Sequence, residues 1–223
     1  NLIRQELVEA LNKTKETTAE ISARKAINKN HQIEGAFKYT TNRSLWKEDS
    51  SGVQSVSQNI AGAYATIVLQ DQINLGQFTL LPGLRFSYLP YLNKSFTQPR
   101  LSISYKFGEQ INFSLASGLY NQYLSKSSVQ DQSGNYRYMW TLANDSTYPV
   151  LRGKHLTASL TYERANTQAA LSPYYKKTKG LTRYVNFGQI ETDGIFKGQG
   201  RSYGFDVYIK QNLKGHTAWL SYT

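Results

Sequence analysis

Cysteine is absent from all 223 residues, which excludes a disulfide-stapled fold and any thiolate metal site. Also missing is any run of about 18 apolar residues, so no helix encoded here is apolar enough to cross a bilayer. Barrel strands escape that test, because they alternate apolar and polar residues and never look hydrophobic in a window average. Histidine is scarce: His31, His155 and His216 stand apart, with no pair at metal-ligand spacing. His155 and Ser159 share a strand face, but four residues along a strand is about 13 Å, too far for a nucleophile and its base. Catalysis is therefore not expected, and no cofactor is implied. Gly198-Gln199-Gly200 precedes an alternating segment and no helix, so it fails as a phosphate loop. Asp131, Asp145 and Asp193 are isolated and make no calcium set. Acidic residues number 15 against 26 Lys and Arg, for a net charge of +11. The cations are scattered rather than gathered in a stripe, so nucleic acid is not the expected partner. The N-terminal residues Asn1 to Arg4 carry no apolar signal-peptide core.

What is present is alternation, clearest over residues 77–123. Phe78, Leu80, Leu84, Phe86 and Tyr88 share one face, with Thr79, Gly83, Arg85 and Ser87 on the other. Leu101, Ile103, Tyr105 and Phe107 oppose Arg100, Ser102, Ser104 and Lys106; Ile111, Phe113 and Leu115 oppose Asn112, Ser114 and Ala116. Period-two patterning of this kind means strands with one apolar and one polar face. It predicts strands over 19–27, 32–41, 61–73, 77–88, 99–107, 110–120, 154–163, 167–177, 200–211 and 217–223. Ile3, Leu7, Ala10 and Leu11 recur instead at helical spacing, so residues 1–18 are expected to form a loop with a short amphipathic helix.

The connections alternate in length. Those at 28–31, 74–76, 108–109, 164–166 and 212–216 are short, and those at 42–60, 89–98, 121–153 and 178–199 are long. Consecutive antiparallel strands place successive connections at opposite ends of a sheet, so one end carries tight turns and the other long loops. That asymmetry is the pattern of an outer-membrane barrel. An aromatic residue near many strand ends (Tyr39, Tyr88, Tyr105, Tyr162, Tyr175, Tyr222) suits girdles at the lipid interfaces. Lys38, Arg85, Arg100, Lys106 and Asp206 fall on the polar, lumen-facing side, which is predominantly cationic. The fold class expected is all-β: an antiparallel transmembrane β-barrel of which residues 19–223 supply about ten strands.

Four segments add a family likeness: residues 25–31 (KAINKNH), 99–107 with 114–124 (PRLSISYKF … SLASGLYNQYL), 173–181 (PYYKKTKGL) and 198–223 (GQGRSYGFDVYIKQNLKGHTAWLSYT). In this order they resemble the barrel domain of TonB-dependent outer-membrane receptors, particularly those of Bacteroidota type. The resemblance implies a barrel of roughly 22 strands with a plugged lumen. It further implies location in the bacterial outer membrane and energised uptake of a scarce ligand such as a ferric siderophore, a glycan or a peptide. The partners it implies are an N-terminal plug domain lying outside this sequence, the TonB complex acting through that plug, the lipid bilayer with its lipopolysaccharide, and surface lipoproteins seated on the long loops. The alternative is a structural or docking barrel within a larger outer-membrane complex.

Aromatics with Arg and amides make adaptable contact surfaces. The expected ligand contacts therefore lie at Tyr120 and, in the long loop after it, Tyr123, Tyr136, Arg137, Tyr138 and Trp140, with Arg183 and Tyr184 from the second loop. The competing reading of that first loop is self-packing, its aromatics burying one another.

Overall fold

Alternating residues become strands here because each strand can place its apolar side chains on one face and its polar ones on the other. The computed structural model describes residues 8–50, 53–130, 136–185 and 194–223. Among them run β1 (Val8–Ala26), β2 (His31–Ser50), β3 (Val53–Leu75), β4 (Phe78–Leu89), β5 (Lys94–Phe107) and β6 (Ile111–Gln122). There follow a short hairpin, β7 (Leu124–Gln130) and β8 (Tyr136–Leu142), and then β9 (Leu151–Arg164), β10 (Thr167–Val185), β11 (Gly194–Leu213) and β12 (His216–Tyr222). The sheet order is β1-β2-β3-β4-β5-β6-β9-β10-β11-β12, antiparallel at each step, with β1 and β12 as its open edges. Ten strands thus form the continuous arc, and β7–β8 lies off it.

Register fixes the two faces. Phe37 is opposite Ile67 and Ile67 opposite Phe86, while Leu69 faces Leu84. Farther along the arc, Phe113 faces Leu160, Leu160 faces Leu171, and Leu171 faces Val207. Phe37, Ile67, Leu69, Leu84, Phe86, Leu160 and Leu171 are all exposed, so they make one apolar band across the arc. A soluble sheet buries such a band; a membrane barrel turns it to lipid. The opposite face is polar and knitted by hydroxyl pairs between neighbouring strands: Thr18 with Thr40 at 3.0 Å, Thr66 with Ser87 at 2.9 Å and Ser159 with Ser172 at 2.9 Å.

The β7–β8 hairpin lies on that polar face. β7 pairs in parallel with the end of β10, Arg183 opposite Ser128, while Trp140 on β8 bonds to Asn12 of β1 and Ser44 of β2. Six strand steps separate β2 from β10, about 29 Å if the sheet were flat. A two-stranded hairpin bridges them only because the arc curls around it. The polar face is therefore the concave one.

One end of the arc carries only tight turns. Gly76 (φ 61°) and Gly108 (φ 63°) supply the left-handed conformation that two of them need. At the other end β2, β3, β10 and β11 run on for 19 to 23 residues, well past the ~9–11 that cross a bilayer. The segments 42–60 and 178–199, expected as loops, are thus largely strand; 51–52 and 186–193 lie outside the described residues. Beyond the apolar band both strand faces meet water, so hydrophobic alternation, the signal that marks a strand, disappears while the pairing continues. The helix expected near the N-terminus is likewise corrected. Residues 8–18 are strand, paired in unbroken register with β2 from Val8 opposite Ser50 onward, and the rest of that segment falls outside the described residues. Tertiary pairing with a long, complete template overrides the weak helical spacing of Ala10 and Leu11, and Thr14, Thr17 and Thr18 favour the extended form.

Candidate functional site: the inner wall and its hairpin

The concave wall is built by taking every second residue of each strand, and its centre is a row across four strands. Arg100 faces Gly118, Gly118 faces His155, and His155 faces Lys176. Aromatic rings interleave with these cations. The Arg100 guanidinium lies 4.6 Å from the Tyr120 ring, which stacks on His155 at 4.5 Å and 28°. Lys176 lies 5.2 Å from the Tyr174 ring. Glycine makes the room: a methyl group on Gly118 would come within 3.0 Å of Tyr120, and one on Gly204 within 3.0 Å of the Tyr174 hydroxyl. Such a wall offers cations and flat faces together, a combination that holds anionic or aromatic groups.

Above this row a cavity of about 460 Å³ opens between the wall and the hairpin, lined among others by Glu16, Tyr64, Arg85, Asn121, Tyr123 and Trp140. Arg85 stands between Val68 and Gln98 in register. Lys38 is held by Glu20 at 2.6 Å, so its charge is locally matched. Lys106 faces Asn112 near the tight-turn end, and Asp206 faces Ser172; both are on the concave side and exposed.

The hairpin is clamped at Trp140. The Asn12 amide donates to its carbonyl at 3.1 Å and accepts from its backbone N–H at 2.9 Å, and the Ser44 hydroxyl donates to the same carbonyl at 2.8 Å. Two apolar clusters complete the anchorage. One gathers Trp46, Val129, Met139, Tyr148 and Tyr184, with the Trp46 and Tyr184 rings edge to face at 5.6 Å. The other gathers Leu89, Phe96, Tyr123, Ala143 and Val150 beneath Tyr64 and Tyr91. Burial pushes the Tyr148 hydroxyl far above the ordinary tyrosine range, and burial with the neighbouring phenols does the same to Tyr91, so both stay neutral.

The eight residues expected at a ligand do not come together on one surface. Tyr123 and Tyr184 are only 3% and 4% exposed, buried in the two clusters, where they anchor the hairpin instead of presenting a surface. That part of the segment packs inward, against side chains of other strands as well as its own. Tyr136 and Tyr138, at 56% and 67%, project into solvent at the hairpin. Arg183 bonds to Gln130 and to the Tyr136 hydroxyl, with its guanidinium 5.0 Å from the Tyr136 ring. Trp140 is half-buried under Lys126, 5.2 Å away, Arg137 is half-buried on the same strand, and Tyr120 belongs to the wall. Asn186 and Phe187, which follow Tyr184 in the second loop, lie outside the described residues. Sequence reading missed Asn12, Ser44, Trp46 and Tyr64. The last two were findable, because each is an aromatic residue on the otherwise polar parity of its strand.

No family model matches the sequence, and no curated protein matches it. Solved structures do match. The siderophore receptor PirA from Pseudomonas aeruginosa aligns at a TM-score of 0.64 and 14% identity, covering 94% of this chain and 43% of PirA. The FrpB iron transporter from Neisseria meningitidis aligns at 0.66 and 13%, covering 93% of this chain and 35% of FrpB. The alcaligin outer-membrane receptor FauA from Bordetella pertussis aligns at 0.58 and 12%, covering 96% and 40%. The chain therefore spans less than half the length of each of these three. At such identities the likeness is one of fold: the chain is folded as an arc of the antiparallel β-barrel from which these receptors and transporters are built.

Proposed function

We propose that this arc is part of an outer-membrane receptor barrel for energised, TonB-dependent uptake of a scarce anionic ligand, a ferric siderophore being the class its structural neighbours suggest. The observation that carries the reading is the concave wall, where Arg85, Arg100 and Lys176 interleave with Tyr64, Tyr120 and Tyr174. Barrels that only scaffold need no such wall. A water-filled interior with low-dielectric walls concentrates the field of these cations and raises the local concentration of an anion. The long ribbons and the hairpin then face the exterior, and the tight turns the periplasm. In the whole receptor a plug domain occupies the lumen and carries the contact to TonB; its acidic groups are the other natural partners of the wall.

The test is the pair Arg85→Gln with Arg100→Gln in the full-length receptor, expressed in cells at normal level. Uptake of ferric siderophore is expected to fall about tenfold, equivalent to about 1.4 kcal/mol. The barrel should stay heat-modifiable on gels, since both positions keep a polar side chain on the polar face. Unchanged uptake at low salt, where screening is weakest, would remove the role given to these charges.

A further inference from the structure

Pairing between β5 and β6 stops short. It ends at Arg100 opposite Gly118, although β5 extends to Lys94 and β6 to Gln122. Proline is the reason. Lys106 donates to Gln77 on the β4 side, so Lys106 and every second residue back to Arg100 turn their backbone groups to β4, while Leu101 and Pro99 turn theirs to β6. One step past the last pair Pro99 would stand against Leu119, and it has no N–H to give that carbonyl. Above this point β5 keeps to β4, as far as Lys94 opposite Leu89, and β6 keeps to β9, as far as Gln122 opposite Leu151. A seam therefore splits the wall between them, with a cleft of about 460 Å³ bordered by Phe96, Thr97, Leu119 and Arg152.

Among the described residues, side chains close this seam where a ladder does not. The Gln98 carboxamide oxygen accepts from the Asn121 N–H at 2.9 Å, taking the place of a strand carbonyl. Gln98 is 1% exposed, and its Nε2 is buried without a partner. Arg152, on the convex parity of β9, lies 5.4 Å from the ring of Phe96, on the concave parity of β5, so their contact runs through the seam. Side chains change rotamer far faster than paired strands separate, so this is the stretch of wall that yields first.

The seam joins two environments. Its outer lip holds Ser95 and Thr97, which face Tyr88 and Phe86 at the upper rim of the apolar band. Its lower end is Arg100, whose guanidinium lies on the Tyr120 ring in the cationic row of the inner wall. A fully water-soluble ligand gains nothing from such a path. An amphiphile does. Every methylene drawn from the membrane into water costs free energy, so its head enters most easily where its tail stays in lipid.

We propose that the ligand taken up is an acylated anion that enters sideways, its head settling on Arg100 and Tyr120 while its alkyl tail passes between Thr97 and Leu119 into the outer leaflet. The Gln98 Nε2 then gains an acceptor in the carbonyl that joins tail to head. The proposal rests on the uptake reading above and names the class of ligand.

The test uses the full-length protein in intact cells and two probes: a ferric citrate-hydroxamate siderophore carrying a dodecanoyl tail, and the same iron complex without the tail. Thr97→Cys and Leu119→Cys place thiols on opposite lips of the seam, and a cleavable cross-linker joins them after the barrel has assembled. Cross-linking is expected to cut uptake of the acylated probe about tenfold or more, to leave the tail-free probe unchanged, and to be reversed on cleavage. Acylated uptake indifferent to the cross-link overturns the proposal. So does an equal loss for both probes, which would make the seam part of a motion that every ligand needs. Pro99→Val restores a donor opposite Leu119 and should cut acylated uptake severalfold with no cross-linker present; unchanged acylated uptake there overturns the proposal too. Uptake of neither probe strikes the uptake reading, and this inference with it. Normal uptake of the tail-free probe, with the acylated one indifferent to the seam, strikes this inference alone.

Discussion

Single atoms decide how closely the inner wall can be built. Gly62 of β3 lies under the Tyr91 ring, and a methyl group there would meet three ring atoms at 2.8 to 2.9 Å. Real Cβ atoms do not approach so closely, so Tyr91 would have to leave its place against Tyr64 and Tyr123. Gly62→Ala is expected to cost about 1–3 kcal/mol by overpacking. The measurement is the urea midpoint of the full-length barrel in detergent. A loss of that size in Gly62→Ala that vanishes when the same change is made in a Tyr91→Ala background fits the close approach. No loss would mean that the ring sits elsewhere. The same economy recurs at Gly118 and Gly204, where rings of the cationic row use the space a side chain would fill.

At the scale of the element, the β7–β8 hairpin behaves as a strut. Its polar clamp centres on Asn12, which bonds both backbone groups of Trp140, with the Ser44 hydroxyl sharing the carbonyl. Asn12→Ala leaves a part-buried N–H without its acceptor, which costs about 1–2 kcal/mol. Amide exchange in β7 and β8 should therefore quicken about tenfold or more, since 1.4 kcal/mol is one decade, while exchange in β4–β6 stays as it was. Unaltered exchange in the hairpin would assign its anchorage to the Trp46 and Tyr123 clusters alone. Elements also differed in how far the sequence revealed them. β4 and β6 were readable almost to the residue, since lipid on one side and water on the other impose strict alternation. The outer halves of β2, β3, β10 and β11 were not, because neighbours such as Asn42 and Arg43, Gln58 and Asn59, and Thr178 and Lys179 make both faces polar. The hairpin was hidden for another reason. Tyr123, Val129, Met139 and Tyr148 are buried by partners far away in sequence, Trp46 above all, and no local period records that. The cationic wall at Arg85 and Arg100 could be read from parity; which aromatics accompany it could not, except through Tyr64 and Trp46 standing on the wrong side of their strands.

On the scale of the whole molecule, everything depends on which face meets lipid. The arc has open edges at β1 and β12, and the solved structures it resembles are more than twice its length. The assignment of the two faces does not depend on how those edges are completed. Consecutive residues of β4 report the two faces directly, through nitroxide labels placed one at a time at Leu84, Arg85, Phe86 and Ser87 of the full-length protein in outer-membrane vesicles. Collision with oxygen, which dissolves in lipid, and with a water-soluble nickel chelate is then compared at each site. Oxygen should dominate at positions 84 and 86 and the chelate at 85 and 87, a strict period of two. Chelate access at 84 and 86 would turn the barrel inside out, because a one-residue slip exchanges the two faces. Equal access at all four positions would mean that no membrane covers this sheet at all.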